Sequence, residues 1–85
     1  MSPKPSTPRV GGLFRHYKHR NDTTLDRVYV VDAVARDSED PDRWLVVYSN
    51  PGGETWVRPR EAFVEDIHTM GYHGPRFIPV EDPLL

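Results

Sequence analysis

Apolar and polar side chains alternate along much of this chain with the two-residue period of extended strands, and no stretch keeps a helical period for three turns. The clearest block is Leu45 to Pro59, where two arms rich in branched and aromatic residues flank Asn50-Pro51-Gly52-Gly53. Proline presets φ for the second position of a turn, and Gly52 is expected to supply the positive φ that a type II turn needs next. That block predicts a β-hairpin, and because a lone hairpin is marginal in water, further strands must cover it. Upstream, Leu13 to Lys18 alternates in a way that sends Leu13, Arg15 and Tyr17 to one face and Phe14, His16 and Lys18 to the other. Arg27 to Ala35 is the longest apolar run, and its valines favour a strand over a helix. On it Tyr29, Val31, Ala33 and Ala35 form the better core face until a bend or bulge intervenes.

Downstream of Pro59, Arg60-Glu61-Ala62-Phe63 has proline at its head and acid in its first turn, the signature of a single helical or 3₁₀ turn with Phe63 facing inward. Val64 to His68 reads as a further strand, Met70-Gly71 and His73-Gly74-Pro75 as turns, and Arg76-Phe77-Ile78 as a last extended piece. The elements add up to a mostly β domain, a small SH3-like β-barrel of about five or six short strands with one short 3₁₀ turn and flexible termini. Residues 1–10 read as a disordered proline-rich tail, 11–80 as the barrel domain and 81–85 as a loose C-terminal tail.

Composition narrows the class. The chain has 85 residues and no cysteine, so neither a disulfide frame nor a thiolate metal site supports so small a core. No apolar run suits a secretion signal or a membrane span, which points to a cytoplasmic protein without membrane partners. The net charge of −2 conceals an asymmetry: residues 1–20 carry +5, whereas the remainder carries six basic and thirteen acidic side chains. Such a section is either a basic contact surface or simply a solvated tail and loop, and the second is the simpler reading.

The ordered set Gly12-Leu13-Phe14-Arg15-His16-Tyr17-Lys18, Tyr29 to Arg36, Ser38-Glu39, Leu45-Val46-Val47-Tyr48, Trp56-Val57-Arg58-Pro59, Phe63 and Pro75-Arg76-Phe77 resembles the small bacterial and phage family called domain of unknown function 1653. The resemblance runs from about Gly12 to Phe77 and implies an SH3-type barrel; it brings no activity with it. In three places the chain departs from that pattern. The loop His19 to Asp26 is longer than the usual glycine turn, Asp37 stands where the family generally has His, and Asp32 and Ala33 replace an apolar residue and a glycine.

Arg15, His16, Arg36, Arg58 and Arg76 are the residues that strand formation explains least. With Tyr17, Tyr48 and Trp56 nearby in the sheet, they could build a site for a small anionic or planar ligand or a peptide, through forked hydrogen bonds and stacking. The competing explanation lays each arginine stem on the barrel and pairs its head with Glu39, Glu54, Glu61 or Glu65. Trp56 and Phe63 are expected in the core, with an exposed stacking platform as the alternative for both. His16 and His19, or His68 and His73, would need a helix or a constrained hairpin to converge on a metal, and neither pair is placed on one, so no metal is expected. Without cysteine, serine elbow or glycine-rich phosphate loop, no catalytic residue or cofactor is assigned. The leading reading is a non-enzymatic binding module. The alternative is nucleic-acid binding by the basic N-terminal section with Tyr17 and Trp56 as stacking groups, which the acidic remainder opposes.

Overall fold

The computed structural model describes residues 7–80. Seven strands form: β1 (Leu13–His16), β2 (Val28–Arg36), β3 (Trp44–Ser49), β4 (Thr55–Pro59), β5 (Asp66–Thr69), β6 (Tyr72–Pro75) and β7 (Phe77–Pro79). They make an antiparallel five-stranded sheet in the order β4-β3-β2-β1-β7 and a separate β5-β6 ribbon. The protein is mostly β, with more strands than the pattern suggested. The pairing leaves β4 and β7 as the two ends of the large sheet. No helix among the described residues is long and apolar enough to cross a membrane.

The β3–β4 hairpin lies where the sequence placed it, with Tyr48 opposite Trp56 and Val46 opposite Arg58. Its turn differs in detail. Gly53, not Gly52, has the positive φ, at 87°, and the Asn50 N–H donates to the Glu54 carbonyl at 3.0 Å, so a three-residue loop ends in a left-handed glycine. The Asn50 carboxamide oxygen also accepts from the Glu54 N–H at 3.0 Å, which holds the loop closed.

Strand β2 carries a bulge. Val31 lies opposite Tyr48 and Ala33 opposite Val47, so Asp32 is the extra residue. The slip reverses the alternation beyond it. Val34, opposite Val46, therefore packs on the core in place of Ala33, while Asp32 stays exposed. The slip turns Ala33 out of the inward row, while Asp32 keeps the solvent side that simple alternation after Val31 already gave it.

Strand β1 is shorter than its alternation implied. It stops at His16, and Tyr17–His19 form a 3₁₀ turn, so Tyr17 does not share a face with Arg15. A second 3₁₀ turn spans Leu25–Arg27. The turn after Pro59 is α1 (Arg60–Phe63), an α-helical rather than a 3₁₀ turn, and it buries Phe63 as expected. Tyr72–Pro75, read partly as turn, is instead strand β6. Of the expected N-terminal tail, residues 7–10 are described and Pro8 is buried against the domain; residues 1–6 and 81–85 lie outside the described residues.

Val31, Val46, Tyr48, Phe63 and Phe77 form the core, with Phe14, Tyr29, Val34 and Val64 packed around it. The Phe63 and Phe77 rings stack at 4.2 Å and 4°, and Phe14 meets Phe63 edge-on at 5.3 Å. Phe63→Ala is expected to cost about 3–5 kcal/mol, because it removes the ring contacts to Phe77, Phe14 and Tyr48 and leaves a cavity. Urea denaturation monitored by circular dichroism measures this; a loss below about 1 kcal/mol would mean that Phe63 does not anchor the helical turn.

Candidate functional site

The inward face of the sheet gathers six rings and charged heads from its five strands, two of them from β4. His16 from β1, Tyr29 from β2, Tyr48 from β3, Trp56 and Arg58 from β4 and Phe77 from β7 line a cavity of about 240 Å³. Register explains the convergence. His16 faces Phe77 across β1–β7, Tyr48 faces Trp56 across β3–β4, and Trp56 and Arg58 lie two apart on β4 and so share a side.

Aromatic rings floor and wall the cavity. Phe77 and Tyr48 are 4% and 5% exposed and meet at 5.3 Å, whereas Trp56 is 38% exposed. The expected core position of Trp56 is thus filled by Phe77 and Phe63, and Trp56 becomes a wall instead. Its ring lies nearly parallel to Tyr48 at 6.0 Å and edge-on to Tyr29 at 5.7 Å. The Arg58 guanidinium sits 5.6 Å from the Phe77 ring centre and donates through Nε to the Tyr48 hydroxyl at 3.4 Å. No acidic side chain lies within ion-pair distance of Arg58 among the described residues.

His16 stands edge-on to Phe77 at 5.1 Å. Its Nδ1 accepts the Lys18 N–H at 3.2 Å, which caps the first 3₁₀ turn and leaves Nε2 as the protonated nitrogen of the neutral ring. Burial lowers its pKa from 6.5 to about 4, helped by the positive charges of Arg58, Arg76 and Lys18 and by His19. At neutral pH the imidazole is therefore an uncharged donor in an electropositive neighbourhood.

The other expected site residues are employed elsewhere. Arg15 alternates with Phe14 and His16 and so points away from the cavity; it is 9% exposed and donates to the carbonyls of Asp22 and Thr24, the latter at 3.1 Å. It holds the long 19–26 loop in place, which explains a buried guanidinium without any ligand. Asp22 in turn accepts from the Thr24 N–H and hydroxyl at 2.8 and 2.7 Å, and these bonds lower its pKa. Arg36 lies over the Trp44 ring at 4.9 Å, at the far end of β2. Arg76 donates to the Ala62 carbonyl at 3.0 Å and pairs with Glu65 at 3.2 Å, tying α1 to the segment before β7. Tyr17 stacks on Tyr72 at 5.1 Å, so one of its faces is taken, and Arg20 covers the Tyr72 ring at 4.8 Å. The salt-bridge explanation thus fits Arg76 and an aromatic contact fits Arg36; Arg58 has an aromatic contact too, with Phe77, but no carboxylate partner among the described residues.

Tyr29 and Phe77 are cavity residues that the reading of charges and motifs did not single out. Their signal was present in the alternation of β2 and in the apolar end of the chain, but an apolar ring in a strand reads as core until register is known. His68 and His73 are not expected on a hairpin, yet they oppose each other across the β5–β6 hairpin with their Nδ1 atoms 3.2 Å apart. No third His, Cys, Asp or Glu joins them among the described residues. A second cleft of about 350 Å³, between Pro8, Phe14, Phe63, Val64, Pro75 and Pro79, shares Phe77 with the first and is lined by apolar side chains.

Residues 12–79 match the model of the family described as Protein of unknown function (DUF1653). The chain belongs to this family. No curated protein and no solved structure matches it. All the cavity residues fall inside the matched span, whose description names no activity. Asp37, one of the departures from the family pattern, accepts the Glu39 N–H at 2.8 Å and takes no part in the cavity.

Because His16 is held neutral in the fold but is protonated near pH 6.5 once unfolded, the unfolded state takes up the proton first as pH falls. The stability that neutral His16 contributes is present above about pH 6.5 and is lost as pH falls toward about 4. Urea midpoints taken across that window are expected to fall for the wild type and to fall less for His16→Gln; parallel profiles would show that His16 is not held neutral.

Proposed function

We propose that this protein is a small SH3-like, cytoplasmic, non-enzymatic binding module that holds a small anionic or planar ligand in the cavity between His16, Tyr29, Tyr48, Trp56, Arg58 and Phe77. One observation carries the proposal. Arg58 lines an aromatic-walled hollow with no carboxylate partner among the described residues, whereas Arg76 pairs with Glu65, Arg15 donates to loop carbonyls, and Arg36, which also has no carboxylate partner, lies away from the hollow on Trp44. A planar fork of donors over ring faces suits a flat, negatively charged group, for which it supplies both bidentate bonds and stacking. Placement on strands holds these groups to a fixed geometry. The absence of cysteine supports the cytoplasmic assignment.

A peptide ligand is less well supported, since a hollow of about 240 Å³ falls below the ~300–1,000 Å³ usual for drug-sized ligands and has room for little more than one ring system. Nucleic-acid binding loses one of its two stacking groups to the Tyr17–Tyr72 pair.

Thermal-shift screening of metabolite anions is expected to find a planar anion that raises the melting temperature, with about 2.7 kcal/mol of stabilisation at a hundred times its dissociation constant. Arg58→Ala is expected to fold and to abolish the shift. If no anion class stabilises the wild type, the proposal fails.

A further inference from the structure

We infer that the ligand of this cavity is a small aromatic carboxylate, one flat ring system bearing a single negative charge on an acceptor-only edge. The inference rests on the cavity's being the binding site and goes on to the chemical class it takes.

The hydrogen-bonding inventory of the lining makes the selection. Arg58 uses Nε on Tyr48, and its two terminal nitrogens donate to no group among the described residues. His16, its Nδ1 occupied by the Lys18 N–H, offers only the N–H on Nε2. Trp56, which also lines the hollow, has an indole N–H and no acceptor. Tyr48 already accepts from Arg58, which leaves its hydroxyl proton to give away. No Asp, Glu, Asn or Gln side chain lines the hollow. The lining therefore consists almost wholly of donors and ring faces.

Donors need acceptors. A carboxylate accepts through both oxygens and donates nothing, so it satisfies the Arg58 fork without leaving a polar group unpaired. A nucleobase with an exocyclic amino group would bury donors against donors, with only tyrosine hydroxyls as weak compensation. A cationic ligand, the usual guest of an aromatic cage, meets Arg58 already in the cage above Phe77 and is repelled. Charge count separates carboxylate from phosphate. Arg76 is committed to Glu65 and Arg15 points to the 19–26 loop, so one unpaired guanidinium faces the guest, enough for a monoanion. The rings supply the rest, because Trp56 and Tyr48 lie nearly parallel at 6.0 Å on one side while Tyr29 closes a second side edge-on.

The test uses the full chain with Trp44→Phe, so that Trp56 is the sole indole and reports on the cavity by fluorescence. Benzoate and indole-3-carboxylate are titrated beside benzamide, acetate, benzylammonium and adenosine monophosphate. The expected result is saturable quenching by the two aromatic carboxylates, with affinity at least ten times that for benzamide, acetate or the cation. Arg58→Lys, which keeps the charge but not the fork, is expected to weaken carboxylate binding about tenfold. Arg58→Gln is expected to weaken it further, and melting curves establish that both variants are folded. Benzamide binding as tightly as benzoate, or the nucleotide binding more tightly, overturns the carboxylate assignment and leaves the cavity as the site. No response of Trp56 to any of the six probes overturns both.

Discussion

Phe77 is the side chain on which core and cavity jointly depend. One face of its ring stacks on Phe63 at 4.2 Å, which ties the one α-helical turn among the described residues to the sheet. The ring also meets Tyr48 at 5.3 Å, His16 at 5.1 Å and Tyr29 at 6.0 Å, and Arg58 lies over it. A domain of this size buries a modest share of its surface, so it has few large rings to spend on packing alone. Here one ring serves as the core's end wall and the cavity's floor. Any displacement of β7 would therefore disturb packing and recognition together.

The arginines show how a single residue type divides its work. Arg15 is turned outward by strand alternation and satisfies two loop carbonyls; Arg76 satisfies a helix carbonyl and a glutamate. Arg36 lies on a tryptophan at the remote end of β2. These three are explained by the hydrogen bonds and ring contacts they make. Arg58 keeps one long bond to a hydroxyl and lies over the Phe77 ring, and its terminal donors face the hollow, where they are available for recognition. Burial first, and then Arg58 with Arg76, Lys18 and His19, depress the pKa of His16, so part of that shift reports the same positive recess that the geometry describes.

The three departures from the family pattern have structural accommodations away from the cavity. Asp32 is the exposed extra residue of the β2 bulge, the lengthened 19–26 loop is held by Arg15, and Asp37 closes a local turn through Glu39. None of the three residues or segments lines the recess. Variation at those places can therefore coexist with an unchanged cavity, because each is absorbed locally by backbone geometry or by one hydrogen bond.

Local chemistry, readable along the chain, decided the strand content, the β3–β4 hairpin, the single turn after Pro59 and the inward Phe63, since these follow from side-chain alternation, branched Cβ atoms and proline's fixed φ. It also marked Arg58, His16, Tyr48 and Trp56 as candidates, though in company with Arg15, Tyr17, Arg36 and Arg76, which serve elsewhere. Only the fold sorted them. A strand's alternation says which residues share a side but not which side is inward, and a one-residue bulge such as Asp32 reverses the answer partway along. The pairing of His16 with Phe77, sixty-one positions apart, brings the first and last strands together, and no local preference encodes that distance. The cavity exists because of that long-range register.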